Sequence, residues 1–291
     1  MIAGGIFDSA GSVEAKNIAS WDNSAWSALG SGSENGFVFS LTVYNTKLIA
    51  GGFFSIVGVD TSYNIASWDG TSWSNLGMGM SGGGIVTVVY ALVTYDNNLV
   101  AGGDFDSAGG IPANNIASWD GSSWSELGTG MSHNIGDTFI FDLSIYNNEL
   151  IAGGIFDSAG GIPANNIASW DGLSWSTLGS GTNGTVISLT VFENKLIVAG
   201  SFTSAGNKLS AYLARWTKSC CVGDRGDFNG DGDDANILDL TYIVDFIFRG
   251  GAESSCPEEA DINNDGTPSN ILDLTFIVDR IFRGGQPPDP C

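Results

Sequence analysis

Acidic and amide side chains recur in the last quarter of the chain at a spacing that suits cation binding. The run Asp227-Phe-Asn-Gly-Asp-Gly is answered thirty-four residues later by Asp261-Ile-Asn-Asn-Asp-Gly. Asp-x-Asn-x-Asp-Gly places oxygen side chains at loop positions one, three and five and a glycine at the sharp turn, which is how a flexible loop surrounds a calcium ion. A later carboxylate in each copy, Asp239 or Asp273, closes the coordination shell. The sequence therefore predicts two calcium sites.

The two predicted ligand sets consist of side-chain and carbonyl oxygens. They are Asp227, Asn229, Asp231, Asp233 and Asp239 in the first loop, and Asp261, Asn263, Asp265, Thr267 (through its carbonyl) and Asp273 in the second. Hard oxygen ligands without His or Cys favour calcium over zinc. Each closing acid falls at loop position thirteen rather than the usual twelve, so each loop holds one extra residue. Because both copies share it, we expect a variant calcium loop rather than the alternative, a metal-free acidic turn.

A helix with one apolar face is predicted after each loop. Its apolar residues follow i, i+3, i+4, i+7, i+8 spacing. They are Leu240, Ile243, Val244, Ile247 and Phe248 in the first copy and Leu274, Ile277, Val278, Ile281 and Phe282 in the second.

The doubled loop–helix pattern over residues 226–285 resembles a dockerin domain. That family binds cohesin modules and docks secreted proteins into larger assemblies, so the resemblance implies a small α-helical domain at residues 219–291 with two EF-hand-like loops and a cohesin-like surface partner. The family's recognition positions hold Ile237-Leu238 and Ile271-Leu272 here in place of small hydroxyl residues. We expect these apolar pairs to pack on the rest of the protein or on a neighbouring copy.

The four cysteines, Cys220, Cys221, Cys256 and Cys291, all flank the loop–helix units. An even, bracketing set predicts disulfides, with Cys220 and Cys221 joined to Cys256 and Cys291 in either arrangement. Zinc binding is the alternative, although no Cys-x-x-Cys pair is present. Disulfides and calcium both indicate an extracellular or cell-surface protein. Met1 precedes a strand without a signal-peptide pattern and in this respect resembles an internal start.

The rest of the chain is repetitive. Asn-Ile-Ala-Ser-Trp-Asp begins at Asn17, Asn64, Asn115 and Asn166, and a degenerate fifth copy ends at Trp216. Each period holds four short strand-like runs, A to D, which in the second copy are residues 37–44, 48–54, 64–68 and 72–76; the first copy starts directly in run B, at residues 2–7. Asp69-Gly70 between C and D is a strong hairpin signal.

Four antiparallel strands per period predict a mainly β fold, a β-propeller of about five four-stranded blades over residues 1–218. Tryptophans are expected between blades, and the paired glycines of run B indicate close packing. The first blade lacks run A and the last lacks run D. Their unpaired edges allow strand complementation between copies and hence a homo-polymer, with a truncated gene as the alternative.

The repeat resembles the bacterial surface-protein β-propeller repeats related to the fungal cortical polarity-marker family. The resemblance lies in Leu150-Ile-Ala-Gly-Gly-Ile-Phe, Asn166-Ile-Ala-Ser-Trp-Asp and Trp175-Ser-Thr-Leu-Gly. It implies a secreted or surface propeller used for interaction and brings no catalytic motif.

Catalytic groups are sparse in the repeats. His133 is the single histidine of the chain, and Asp22, Asp69, Asp120 and Asp171 have turn-forming positions. Asp104 interrupts the repeat, since repeats 1, 2 and 4 have Ile or Phe after the glycine pair. We therefore expect no enzymatic activity. A net charge of −22 argues against nucleic-acid partners, and no apolar run is long enough to insert into a membrane.

These features predict a non-catalytic extracellular or cell-surface structural protein, a propeller assembled through a calcium-binding dockerin-like module with itself or with a cohesin-like partner. The alternative is a secreted carbohydrate-binding propeller docked to a cohesin-like protein, with polysaccharide as its ligand.

Overall fold

The computed structural model describes residues 1–34, 36–57, 60–61, 63–84, 86–216, 225–226, 228–229, 235–252, 254, 256 and 260–288. Contacts divide the chain into two units, Met1–Trp216 and Thr217–Cys291. The first unit is built of antiparallel sheets, and the described part of the second contains two helices. The expectation of a mainly β protein is confirmed.

One antiparallel sheet corresponds to each sequence repeat, with its strands hydrogen-bonded in the order A–B–C–D. Repeats 2, 3 and 4 have all four strands, while the described residues of repeat 1 supply B, C and D and those of repeat 5 supply A, B and C. In chain order the strands are Ile2–Gly4, Ile18–Trp21 and Trp26–Ala28; Phe37–Tyr44, Lys47–Phe53, Ile65–Trp68 and Trp73–Asn75; Val88–Tyr95, Asn98–Asp104, Ile116–Trp119 and Trp124–Glu126; Phe139–Tyr146, Glu149–Ile155, Ile167–Trp170 and Trp175–Thr177; Val186–Phe192, Lys195–Gly200 and Leu213–Trp216.

The predicted strand limits need small corrections. Strand A of repeat 2 is as predicted, and strand B begins and ends one residue earlier than predicted. Strand C loses Asn64, because that residue adopts a left-handed φ of 67°, and strand D is three residues long. Strand B of repeat 1 ends at Gly4 rather than at residue 7.

A second set of short strands links successive repeats. A small hairpin whose two strands are each two residues long lies between strands B and C of each repeat. The paired strands are Ser9–Ala10 with Val13–Glu14, Ile56–Val57 with Asp60–Thr61, Ser107–Ala108 with Ile111–Pro112, Ser158–Ala159 with Ile162–Pro163, and Ser204–Ala205 with Lys208–Leu209. After strand D the chain forms a short strand, Ser33–Glu34, Met80–Ser81 or Met131–Ser132, that pairs with the hairpin of the next repeat. Each repeat is thereby hydrogen-bonded to its successor.

The first glycine of each pair in strand B makes room for the next sheet. A Cβ atom added at Gly51, Gly102 or Gly153 would lie 2.5 to 2.6 Å from a Val or Ile methyl on strand A of the following repeat. The second glycine faces a carbonyl of its own sheet, since a Cβ at Gly103 would lie 2.0 Å from the Val88 oxygen. The predicted packing role of the glycine pairs is confirmed.

Strand D tryptophans join neighbouring sheets. The indole Nε1 atoms of Trp73, Trp124 and Trp175 donate to leucine carbonyl oxygens of the preceding repeat at 2.9 to 3.0 Å, and each of these side chains is buried. Their predicted position between repeats is confirmed. Each also packs against the strand C tryptophan across its hairpin, with ring centroids 5.3 to 5.4 Å apart.

The second unit contains helices α1 (Ile237–Arg249) and α2 (Ile271–Arg283). Asn236 and Asn270 cap their N-termini, and both helices end at a left-handed glycine. Ile243 and Ile277 are fully buried in a common core. The prediction that Phe248 and Phe282 belong to the buried face is wrong, since each is 63% exposed. Each lies five residues after the buried isoleucine, which rotates its position by about 140° around the helix axis.

Candidate calcium centre

The second acidic loop, residues 261–273, is described throughout. Its chain bends around the Asp261 carboxylate, whose Oδ1 accepts from the Asp265 N–H and whose Oδ2 accepts from the Gly266 N–H, both at 2.9 Å. Asn263 Oδ1 also accepts from the Asp265 N–H at 2.9 Å. Gly266 takes the turn at a φ of 86°, which favours glycine. The ligand positions at the start of the loop are therefore close together.

Asp273 returns from helix α2 to the loop. It is fully buried, and its carboxylate accepts from the Asn270 N–H at 2.8 Å and from the Asn263 N–H at 3.4 Å. The first contact completes a capping box with Asn270, the N-cap residue. Position thirteen therefore turns towards the loop, while Leu272 at position twelve is exposed.

The first loop has the same construction where it is described. Asp239 is fully buried and accepts from the Asn236 N–H at 2.9 Å and the Asn229 N–H at 3.2 Å. Of the other ligands predicted for the first loop, Asp227, Asp231 and Asp233 lie outside the described residues.

The second loop concentrates negative charge. Burial, together with the charges of Asp261 and Asp265, raises the pKa of the Asp273 carboxyl, although the N–H groups of Asn270 and Asn263 act in the opposite direction. The salt bridges found in the described part of this unit, Arg249 with Asp245 and Arg283 with Asp279, lie on the last turns of the helices. A cation with oxygen ligands would offset this charge.

The acidic side chains of the second loop do not form a close cluster of three. Among the described residues, no group of three or more His, Cys, Asp or Glu side chains lies close enough to hold a metal ion. Asp265 and Thr267 are exposed, and Asp265 Oδ1 accepts from the Thr267 N–H at 2.9 Å. The Asn270 amide donates to the Thr267 carbonyl and, at 3.4 Å, to Asp265. The donor set, all hard oxygens, fits calcium chemically.

Asn270 is a residue of this loop that the ligand pattern alone does not identify. Its side chain accepts from the Leu272 N–H at 2.6 Å while its amide bonds to the loop. The signal available in the sequence is an Asn three residues before an acid at a helix start, in both copies.

Cys256 is buried, and Cys220, Cys221 and Cys291 lie outside the described residues. The pairing of the four cysteines stays a prediction.

The acids of the repeats have turn-forming contacts. Oδ1 of Asp69 accepts from the Thr71 and Ser72 N–H groups at 2.8 Å, and Asp120 and Asp171 repeat this turn. In repeat 1, the Ser24 hydroxyl and two backbone N–H groups lower the pKa of Asp22 to about 2. The predicted turn role is confirmed. His133 is half-buried and accepts from the Ile135 N–H at 3.3 Å.

No protein-family model matches the chain, and no curated protein matches it. Within the described residues, no helix has the length and apolar character needed to cross a lipid bilayer.

Proposed function

We propose that this chain is a non-catalytic extracellular or cell-surface interaction protein, in which a β-propeller is joined to other molecules through a calcium-binding, dockerin-like module. The observation that carries the proposal is the pair of alike loop–helix units, each with a fully buried aspartate turned back from the helix to the loop. Burying two carboxylates is costly unless a cation offsets their charge.

The second loop would hold calcium through Asp261, Asn263, Asp265, Asp273 and the Thr267 carbonyl. The bound ion supplies positive charge and cross-links the loop to the first turn of helix α2. Asn263 and Asn270 already connect these two segments by hydrogen bonds to Asp273. The capping box thus positions the closing carboxylate at loop position thirteen.

The propeller proposal is supported by the contacts between successive sheets. The same glycine-to-methyl contact and the same indole hydrogen bond relate repeats 2, 3 and 4. Equivalent contacts at successive steps are what packing of one blade face to face on the next would produce.

The docking surface is proposed to include the apolar pairs at the helix starts. Ile237, Leu238, Ile271 and Leu272 are each 52 to 57% exposed. Apolar side chains presented in duplicate favour a protein partner, either a cohesin-like module or a second copy.

Strand C of repeat 5, Leu213–Trp216, is the last strand of its sheet among the described residues and would accept a complementing strand from a second copy.

Calcium titration of the whole protein tests the proposal. We expect two ions per chain by isothermal titration calorimetry, one for Asp273→Asn or Asp239→Asn, and two for the control Asp279→Asn, which removes the same charge from an exposed site on α2. Light scattering with calcium and after chelation then measures self-association. Absence of calcium binding at the millimolar concentrations typical of extracellular sites would overturn the proposal.

A further inference from the structure

A row of mainly apolar side chains, two of them exposed and two half-buried, crosses repeats 2 to 5. Strand A of repeats 2 to 5 shifts register by one residue against strand B, between Val38 and Ser40 in repeat 2 and at the same place in the others. The second strand B glycine permits this β-bulge because its Cβ would collide with a strand A carbonyl. The residues at the bulges are Phe39, Tyr90, Phe141 and Ile187.

The aromatic members of this row contact one another. Ring centroids lie 5.5 Å apart for Phe39 and Tyr90 and 5.3 Å apart for Tyr90 and Phe141. Phe139 stacks on Phe141 at 5.6 Å, which widens the surface. Phe39 is 45% and Ile187 54% exposed. A continuous apolar surface of this kind indicates an interaction site.

One carboxylate lies beside the middle of the row. Asp104 follows the paired glycines of repeat 3, where repeats 2 and 4 have Phe53 and Ile155. It is 4% exposed, and its Oδ1 accepts from the Gly84 N–H at 2.9 Å. Burial raises the pKa of the Asp104 carboxyl, as do Asp137 and Asp106. No salt bridge to Asp104 is found in the described part of the chain.

Asp104 lies opposite Val88 in the pairing of strands A and B, two residues before Tyr90 at the bulge. Burial raises the pKa of the Tyr90 hydroxyl, and the Asp104 charge raises it further. Both residues depart from the repeat pattern in the same copy, since repeats 2 and 4 have Phe at the bulge and an apolar residue after the glycines. A paired change from apolar to polar at one point of an aromatic surface indicates a specific polar subsite.

We propose that the aromatic row binds an extended segment of a partner protein that places a Lys or Arg side chain at Tyr90 and Asp104. A cation there pairs with the carboxylate and lies against aromatic rings. An anionic partner would be repelled by a chain of net charge −22. A neutral glycan would cover Asp104 further without supplying an opposite charge, which costs free energy. The aromatic members of the row, Phe39, Tyr90 and Phe141, span three repeats, which suits an extended chain rather than a compact ligand.

The test compares two N-acetylated heptapeptides, one with a central lysine between valines and one with norleucine in its place. They are titrated into the full chain in calcium and followed by calorimetry. We expect the lysine peptide to bind about tenfold more tightly, the size of a desolvated cation–π contact plus an ion pair. Asp104→Asn should abolish that difference, because the amide oxygen still accepts from Gly84 and only the charge is lost.

Asp120→Asn is the matched control, since it removes one acid from an exposed turn of the same repeat and should leave the difference unchanged. Circular dichroism checks that each variant is folded. Equal affinity for the two peptides, a preference for lysine that survives Asp104→Asn, or no binding of either peptide at millimolar concentration would overturn the proposal. Binding of a neutral oligosaccharide that Tyr90→Leu abolishes would assign the row to glycans instead.

Discussion

At the scale of single residues, the asparagine that begins the repeated hexapeptide is needed for two reasons, its backbone conformation and its side-chain hydrogen bonds. Asn64, Asn115 and Asn166 all have φ between 61° and 67°, a region in which asparagine is tolerated better than other non-glycine residues. The Asn115 amide also donates to the Thr138 carbonyl at 2.8 Å and to the Gly103 carbonyl at 3.3 Å. Backbone conformation and hydrogen bonding therefore select the same residue.

Replacing Asn115 separates these two contributions. Asn115→Ala should lower the free energy of unfolding by about 2 to 3 kcal/mol, since it combines left-handed strain with unsatisfied buried carbonyls. Asn115→Gly relieves the strain and should cost about 1 kcal/mol less. Urea denaturation followed by tryptophan fluorescence measures both, and equal losses would contradict the assignment of strain.

The turn acids predict a pH dependence with a definite sign. Backbone N–H groups and the Ser122 hydroxyl hold the pKa of Asp120 well below its ordinary value. A carboxyl with a lowered pKa in the folded state stabilises the protein above its unfolded pKa, near 4, and this contribution is lost as the pH falls through the folded pKa. Asp120→Asn should thus lower Tm at pH 7, and the difference should shrink below about pH 4.

Thermal melts of the wild type and of Asp120→Asn across this pH range provide the measurement. Glu126→Gln, an exposed acid on strand D of the same repeat, removes an equal charge without a turn. A pH-dependent loss of the same size in both variants would attribute the effect to net charge instead.

At the scale of elements, neighbouring sheets pack closely because strand B has a glycine, without a Cβ atom, at the point of contact. A Cβ at Gly102 would lie 2.6 Å from Ile140 Cγ2 in the next repeat. Gly102→Ala should therefore cost about 1 to 3 kcal/mol by overpacking, and Ile140→Ala about 2 to 5 kcal/mol by leaving a cavity.

The double variant tests whether the two positions share one contact. The alanine methyl would partly fill the space that Ile140 vacates, so Gly102→Ala with Ile140→Ala should cost less than the two single losses added together, by more than about 0.5 kcal/mol. Denaturant unfolding of all four proteins measures this coupling. Additive losses would show that the sheets move apart rather than collide.

The elements also show what sequence patterns can predict. Alternation and Asp-Gly pairs predicted the limits of strands A to D within one residue in repeat 2, because residue alternation and hairpin turns are local properties of the sequence. The orientation of Phe248 was predicted wrongly, because which helix residue is buried depends on the partner helix. The aromatic row was not predicted at all, since a β-bulge arises from pairing between two strands and has no period of its own.

The candidate site was predictable to a similar depth. The spacing of acids placed Asp239 and Asp273 at loop position thirteen, and both are buried and hydrogen-bonded back to their loops. The ligand pattern alone did not identify Asn236 and Asn270, the N-cap residues of the two capping boxes. Their signal is a separate one, an Asn three residues before an acid at a helix start. Calcium occupancy stays a prediction, since ligand spacing does not determine how closely the oxygens converge.

At the scale of the whole molecule, the two units carry separable spectroscopic signals. All nine tryptophans lie at or before Trp216, whereas both helices lie after it. If calcium stabilises the second unit, chelation should reduce the helical circular dichroism while leaving the wavelength of tryptophan emission unchanged. Readdition of calcium should restore the helical signal. Simultaneous loss of both signals would indicate that the units unfold as one.

Repeat 5 has Ala199 where the four preceding repeats have Gly4, Gly51, Gly102 and Gly153. In each of those repeats, a methyl at this position would collide with strand A of the repeat that follows. If a gene duplication inserted another copy directly after repeat 5, the Ala199 methyl would therefore collide with strand A of the new copy. A copy inserted between repeats 2 and 4 would instead follow a repeat that has glycine at this position. An additional repeat would thus pack more readily in the interior than directly after repeat 5, and the methyl group of Ala199 makes the difference.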